Sequence, residues 1–203
     1  MQKASSLQGT ARVSGISRLR FRKIAIVVLI LLIVIGLAGA LFARAQKNST
    51  VKKAKETLKT GTEAYNKGKF NKAIPSLEKT VKLDPKNAKA QLLLGRSHEA
   101  TGKLNEAETA YKASLDAHPE QPETLYQLAI IHKSQGKTQE AIQELEKAIT
   151  LNKDFVAAKL ILAELYTQQG QKQKAIEQYE AVIKMKPFGI DLTELEKKLE
   201  SLK

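Results

Sequence analysis

A period of 34 residues runs through about two thirds of this chain, and it limits the fold more than any other feature. It is plainest from Ala88 to Gln121, which reads AKAQLLLGRSHEATGKLNEAETAYKASLDAHPEQ. Leu92, Leu93, Leu94, Gly95, His98 and Ala100 recur at helical spacing, and Thr101-Gly102 interrupts them. Leu104, Ala107, Ala110, Tyr111, Ser114 and Leu115 then resume the pattern. His118-Pro119 ends it, because the residue before a proline is pushed out of the helical region. One period therefore reads helix, glycine turn, helix, proline turn. One step onward, Leu128, Ala129, Gly136, Ala141, Leu145 and Ala148 repeat it, and a second step gives Leu162, Ala163, Gly170, Ala175, Tyr179 and Val182. One step back gives Gly61, Gly68, Phe70, Ala73, Leu77 and Pro85. A helix pair of this size cannot bury its own apolar face, so stacked copies must share a core and about three are needed. Four are present.

Small residues sit where the pattern demands them. Ala107, Ala141 and Ala175 fall where two helices of a pair must cross closely. Gly68, Gly102, Gly136 and Gly170 close the first helix of each pair, where a left-handed residue is expected. Leu94-Gly95, Gly102, Ala107, Tyr111 and Pro119 in the second copy carry a clear family resemblance. Phe70 and Pro85 in the first copy and Leu162, Tyr179 and Pro187 in the fourth extend it. Over about Ala54 to Gly189 the chain resembles the tetratricopeptide repeat family, without its signature Trp and with Lys153 for the closing Pro of the third copy.

The resemblance implies an all-α fold, a right-handed solenoid of helical hairpins whose concave face binds a protein or peptide. The copies fall at residues 54–87, 88–121, 122–155 and 156–189. The family's groove positions, carried over by register, are the second, fifth, ninth, twelfth and thirteenth of each first helix. They give an apolar stripe of Tyr65, Leu92, Tyr126, Ile130 and Leu160, edged by Lys89, Arg96 and Lys133, with Glu164 further along. Leu58, Thr62 and Glu123 stand where carboxylate-clamping relatives place other residues, so capture of a chain's carboxyl terminus is not expected.

Ahead of the repeats lies IAIVVLILLIVIGLAGALF, residues 24–42, nineteen residues without a charge. As a helix it spans roughly 28 Å, near the thickness of a bilayer core. Nothing in the remaining chain could surround such a helix on every side, so one N-terminal transmembrane helix is expected. A cleaved signal has a shorter apolar run and leader, which favours an uncleaved anchor, although Ala38-Gly39-Ala40 and Ala43-Arg44-Ala45 look like cleavage sites. The net charge of +13 flanks this segment: residues 1–23 carry +6, residues 44–89 carry +9, and the rest carries −2. Residues 1–23 read as a disordered basic tail, and 43–53 as a linker leading into the first repeat helix, with Ser49 or Thr50 as its cap. Basic residues within fifteen positions are equal in number on the two sides, and closeness to the apolar run slightly favours repeats outside the cytoplasm. Lys47, Lys52, Lys53, Lys55 and Lys59 form a basic collar expected to meet anionic lipid. At the other end, Asp191-Leu192-Thr193-Glu194 reads as a capping box opening a helix over 190–203, with Leu192, Leu195, Leu199 and Leu202 on one face to cover the end of the stack.

Catalytic chemistry is not expected. There is no Cys, no phosphate-cradling Gly loop and no nucleophile signature. His98 and His132 occupy the same slot in neighbouring copies with Tyr166 in the fourth, and they read as packing residues, not metal ligands. Glu106/Glu108 and Glu144/Glu146 are expected on solvated faces. No metal, no cofactor and no nucleic-acid partner follows. The expectation is a single-pass membrane protein displaying a protein-binding groove as scaffold or assembly factor. The alternatives are a chaperone-like accessory for secreted or envelope proteins, and a purely structural oligomer.

Overall fold

The computed structural model describes the backbone of residues 6–203 and the side chains of residues 23, 27 and 29–203. Residues 1–5 of the expected tail, and the side chains of residues 24–26 and 28 in the apolar run, lie outside the described residues. Among those described, every regular element is helical: α1 Ser6–Asn66, α2 Phe70–Leu83, α3 Ala88–Ala100, α4 Leu104–Ala117, α5 Pro122–Ser134, α6 Thr138–Leu151, α7 Val156–Gln168, α8 Lys172–Met185 and α9 Leu192–Leu202. One compact unit ends at Lys52 and the other spans Lys53–Lys203.

In the second unit, hairpins of two helices follow one another as the period requires. Each first helix ends on a glycine at positive φ: Gly68 at 67°, Gly102 at 76°, Gly136 at 74° and Gly170 at 71°. A reversed turn at each of these points closes the hairpin. Lys103 N–H donates back to the His98 carbonyl at 2.8 Å, Lys137 to His132 at 2.9 Å and Gln171 to Tyr166 at 2.9 Å. Ala73, Ala107, Ala141 and Ala175 have no exposed surface, as close helix crossing needs. Each second helix packs on the next first helix, and α8 packs on α9. The buried core is accordingly a chain of clusters, each shared between adjacent copies. Leu195, Leu199 and Leu202 of α9 close the last one.

Three local expectations are corrected. Residues 46–50 are helical, not a linker, and Thr50 Oγ1 donates to the Gln46 carbonyl at 3.0 Å instead of capping a new helix. Residues 6–23 also belong to α1. Neither stretch holds a proline, and extending an existing helix costs far less than starting one. At α9 the Asp191 carboxylate accepts the Thr193 and Glu194 N–H groups, but the Glu194 side chain pairs with Lys198 at 3.1 Å and does not reach back. Half of the capping box is formed.

Candidate functional site

The face to consider is made by the first helix of each hairpin: the end of α1, then α3, α5 and α7. Leu58, Leu92, Tyr126 and Leu160 occupy one register position in the four copies. All four are apolar, and all four are only half-buried. Leu92 rests on the cluster of Ala107, Tyr111, Leu128 and Ile131, while Tyr126 and Leu160 rest on the cluster of the last two copies. Each therefore offers one side to the core and one to solvent. Tyr65, Arg96, Ile130, Lys133 and Glu164 are half-buried as well, and Lys89 is exposed.

The structure brings some of these residues together and places others singly. Lys133 Nζ meets Glu164 Oε2 at 2.9 Å, joining α5 to α7, so the two charges compensate each other. Tyr126 stacks at a tilt on Phe155, 5.1 Å between ring centres, and Tyr65 meets Phe70 edge-on at 5.5 Å. Lys89 and Leu92 share a cleft of about 530 Å³ with Lys86, His118 and Gln121. Arg96 and Ile130 lie on α3 and α5, and Arg96 has no carboxylate within 4.0 Å among the described residues. Phe155 escaped the sequence reading because it precedes α7; its signal is an aromatic ring where the two earlier copies carry Asn87 and Gln121.

A second polar centre lies between the second and third copies, and it corrects the reading of the glutamates. Glu108 and Glu144 do not both look into solvent; they flank the buried ring of His132. Nδ1 of that ring is bonded to Glu144 at 3.0 Å, and Nε2 lies 3.3 Å from Glu108 without hydrogen-bond alignment. Glu108 also takes the Lys112 ammonium at 2.5 Å, the Gln135 amide at 3.0 Å and Lys137 at 3.5 Å. The hydrogen bonds from Lys112 and Gln135, with the His132 ring close by, hold the Glu108 carboxyl at about 2, well below its usual 4.5. Burial pushes Glu144 the other way, against the pull of His132. The register does carry a signal: the position of Glu108 is Ile74, Ile142 and Ile176 in the other copies.

At the other two slots, His98 is buried with Nδ1 unpaired and its pKa lowered by that burial. Tyr166 is buried, donates its hydroxyl to Glu146 and carries Lys174 over its ring. Both ring nitrogens of His132 face carboxylates, and no group of three His, Cys, Asp or Glu among the described residues is arranged to hold a metal. What this face offers chemically is recognition: half-open apolar side chains between charged ones.

A family model described as tetratricopeptide repeat matches residues 58–122, and two more with that description match 110–143 and 132–199. Comparison with curated proteins gave no match. Among solved structures, one of MamA is 30% identical with a TM-score of 0.62, covering 70% of this chain and 86% of that one. A second MamA structure is 28% identical with a TM-score of 0.65, covering 74% and 86%. YrrB, a tetratricopeptide repeat protein with an unusual peptide-binding site, is 20% identical with a TM-score of 0.60 and covers 63% and 66%. The first such domain of Spaghetti (RPAP3), bound to the HSP90 peptide SRMEEVD, is 18% identical with a TM-score of 0.55 and covers 59% and 94%. Four stacked hairpins with their left-handed glycines, three matching family models and a relative at 30% identity agree: the chain belongs to the tetratricopeptide repeat family.

Proposed function

We propose that this chain is a membrane-anchored protein-interaction module that binds a peptide or protein segment along its first helices and serves as scaffold or assembly factor. The observation that carries the reading is the column Leu58, Leu92, Tyr126 and Leu160. The neighbouring column of Gly61, Gly95, Ala129 and Ala163 is buried in every copy, whereas this one is apolar and half-open in every copy. Apolar surface held open along a groove is what an extended or helical peptide covers. Arg96 and Lys89 add positive charge on the same helices, which suits a segment with acidic character. YrrB and the RPAP3 domain are described as peptide-binding, and their shared fold supports the same use here. Binding without catalysis is the consistent role.

Anchoring is the second half of the proposal. From Leu29 onward α1 carries a window of eighteen residues with mean hydropathy 2.1 and none of it buried. Large apolar side chains between Val27 and Phe42 are 53–72% exposed, an arrangement suited to lipid. We assign residues 24–42 to a single uncleaved span, the collar from Lys47 to Lys59 to the headgroup region, and the repeats to the non-cytoplasmic side. A photo-crosslinking side chain at Tyr126 tests the groove, with one at Lys147 on the exposed face of α6 as control. Adducts in native membranes are expected at Tyr126 and not at Lys147. The same adducts at both positions, or none at Tyr126, would place the partner elsewhere.

A further inference from the structure

The four hairpins have one backbone plan, so they act as controls for one another. Whatever a side chain at an exposed position does for folding should be similar in each copy, and a departure confined to one copy needs another cause. The first copy departs on the outer side of its second helix. Lys72, Lys79 and Lys82 on α2 lie within an arc of about 80° at 100° per residue, and Lys86 follows in the next turn. All four are exposed. Among the described residues none has a carboxylate within 4.0 Å, and Glu78 is the one acidic residue on that helix. The same positions are Glu106, Ala113, Asp116 and Glu120 in the second copy, Glu140, Lys147, Thr150 and Asp154 in the third, and Lys174, Ala181, Lys184 and Phe188 in the fourth, so all four are lysine in the first copy alone. The scaffold therefore accepts either sign of charge there, and four lysines together are not a requirement of packing.

We propose that the outer face of α2 is a docking surface for an anionic lipid bilayer, laying the first hairpin on the membrane. The inference rests on the anchoring proposed above and adds a second, separate contact to it. Two observations favour lipid over an acidic protein. First, the excess of positive charge lies on both sides of the apolar run and is gone beyond residue 90. A protein partner would have no reason to follow distance from that run, whereas an anionic surface attracts only what lies within a Debye length of about 8–10 Å. Second, Thr80 Oγ1 donates to Thr57 Oγ1 at 2.9 Å, which ties the stripe to a point only fifteen residues of chain beyond Phe42. The peptide-binding column on the first helices is a different set of residues.

Amine acetylation of the full chain in vesicles, read by mass spectrometry, tests this. Vesicles of phosphatidylcholine alone are compared with vesicles that also contain phosphatidylglycerol. Exposed Lys147 and Lys153 of the third copy are internal references. Modification of Lys72, Lys79, Lys82 and Lys86 should slow by about threefold or more on the anionic vesicles, recover at high salt, and leave the references unchanged. Equal rates on both vesicles, or equal slowing at Lys147 and Lys153, would overturn the proposal. Slowing seen only when an acidic protein is added would also overturn it and give the stripe to that protein. Carbonate extraction of the same vesicles reads the anchor separately: a chain that washes off yet keeps its lipid-dependent protection would remove the anchor and leave the docking face standing.

Discussion

A methyl group added at Gly95 would lie 2.6 Å from Cδ1 and 2.7 Å from Cε1 of Tyr111, whose ring has no exposed surface. The same small-to-large pairing recurs as Gly61 with Leu77, Ala129 with Leu145 and Ala163 with Tyr179. Overpacking costs about 1–3 kcal/mol against about 1 kcal/mol of helix propensity gained, so Gly95→Ala should destabilise the repeats by up to about 2 kcal/mol. Adding Tyr111→Leu recreates the Ala129/Leu145 pair, and the double variant should lose less than the two single losses combined. Urea midpoints check both, and a higher midpoint for Gly95→Ala would refute the clash. Glu108 sets a different expectation. Its folded-state value of about 2 lies below the ordinary 4.5, so its stabilisation is complete above 4.5 and is lost as the pH falls from there toward 2. Glu108→Gln should flatten the pH dependence of stability in that window, as read by denaturation at stepped pH, and an unchanged slope would mean that the network does not depend on this carboxylate. Above 4.5 the half-buried Glu144 acts in the opposite sense, because a raised carboxyl value loses stability as the pH rises.

Among the elements, α2 carries a proline beyond its first turn, whereas the proline of α5, Pro122, is the first residue of its helix. The helix begins at Phe70, so Pro75 falls in its second turn and leaves the Asn71 carbonyl without its helical partner. Thr109, Gln143 and Glu177 hold the same exposed position in the other copies, so no packing requires the ring. Pro75→Ala should raise stability by about 2 kcal/mol, the helical gain of about 3 less the entropy of up to about 1 that proline removes from the unfolded chain. Thermal unfolding measures it, and a lower Tm would show that the proline fixes something the helix needs. Much at this scale was legible beforehand, because glycine turns, crossing alanines and the leucine face of α9 are all local signals at a fixed period. Residues 46–50 were misread because polarity alone does not end a helix. The His132 centre was missed for a different reason. Its glutamates lie 24 and 12 residues from the histidine, on helices whose solvated faces carry similar residues, and only comparison with Ile74, Ile142 and Ile176 marks Glu108 as inward. The half-open column of Leu58, Leu92, Tyr126 and Leu160 could be numbered from the register, but its exposure required the structure.

For the whole molecule, a core divided into clusters shared between neighbours makes stability a sum of local interfaces, closed at one end by α9. That organisation takes no core residue from the described part of residues 1–42. The helices from α2 onward satisfy their own cores, and compactness divides the chain at Lys52 and Lys53. The apolar run contributes exposed side chains and no core residue among those described. Of the first hairpin's buried residues, Ala54 is the earliest, so a chain beginning at Lys47 keeps everything that the repeats pack. Such a chain should be soluble and helical, and should unfold in one transition if the four interfaces are of similar strength. The full chain should stay with membranes through a carbonate wash, because an apolar helix of this length is not displaced by charge or pH. Circular dichroism and urea unfolding check the first expectation, and fractionation checks the second. An aggregated, unfolded product from Lys47 onward would show that the apolar segment takes part in the fold after all. Recovery of the full chain in the wash would instead make it a leader or a surface, and would leave the repeat domain as the whole of the working molecule.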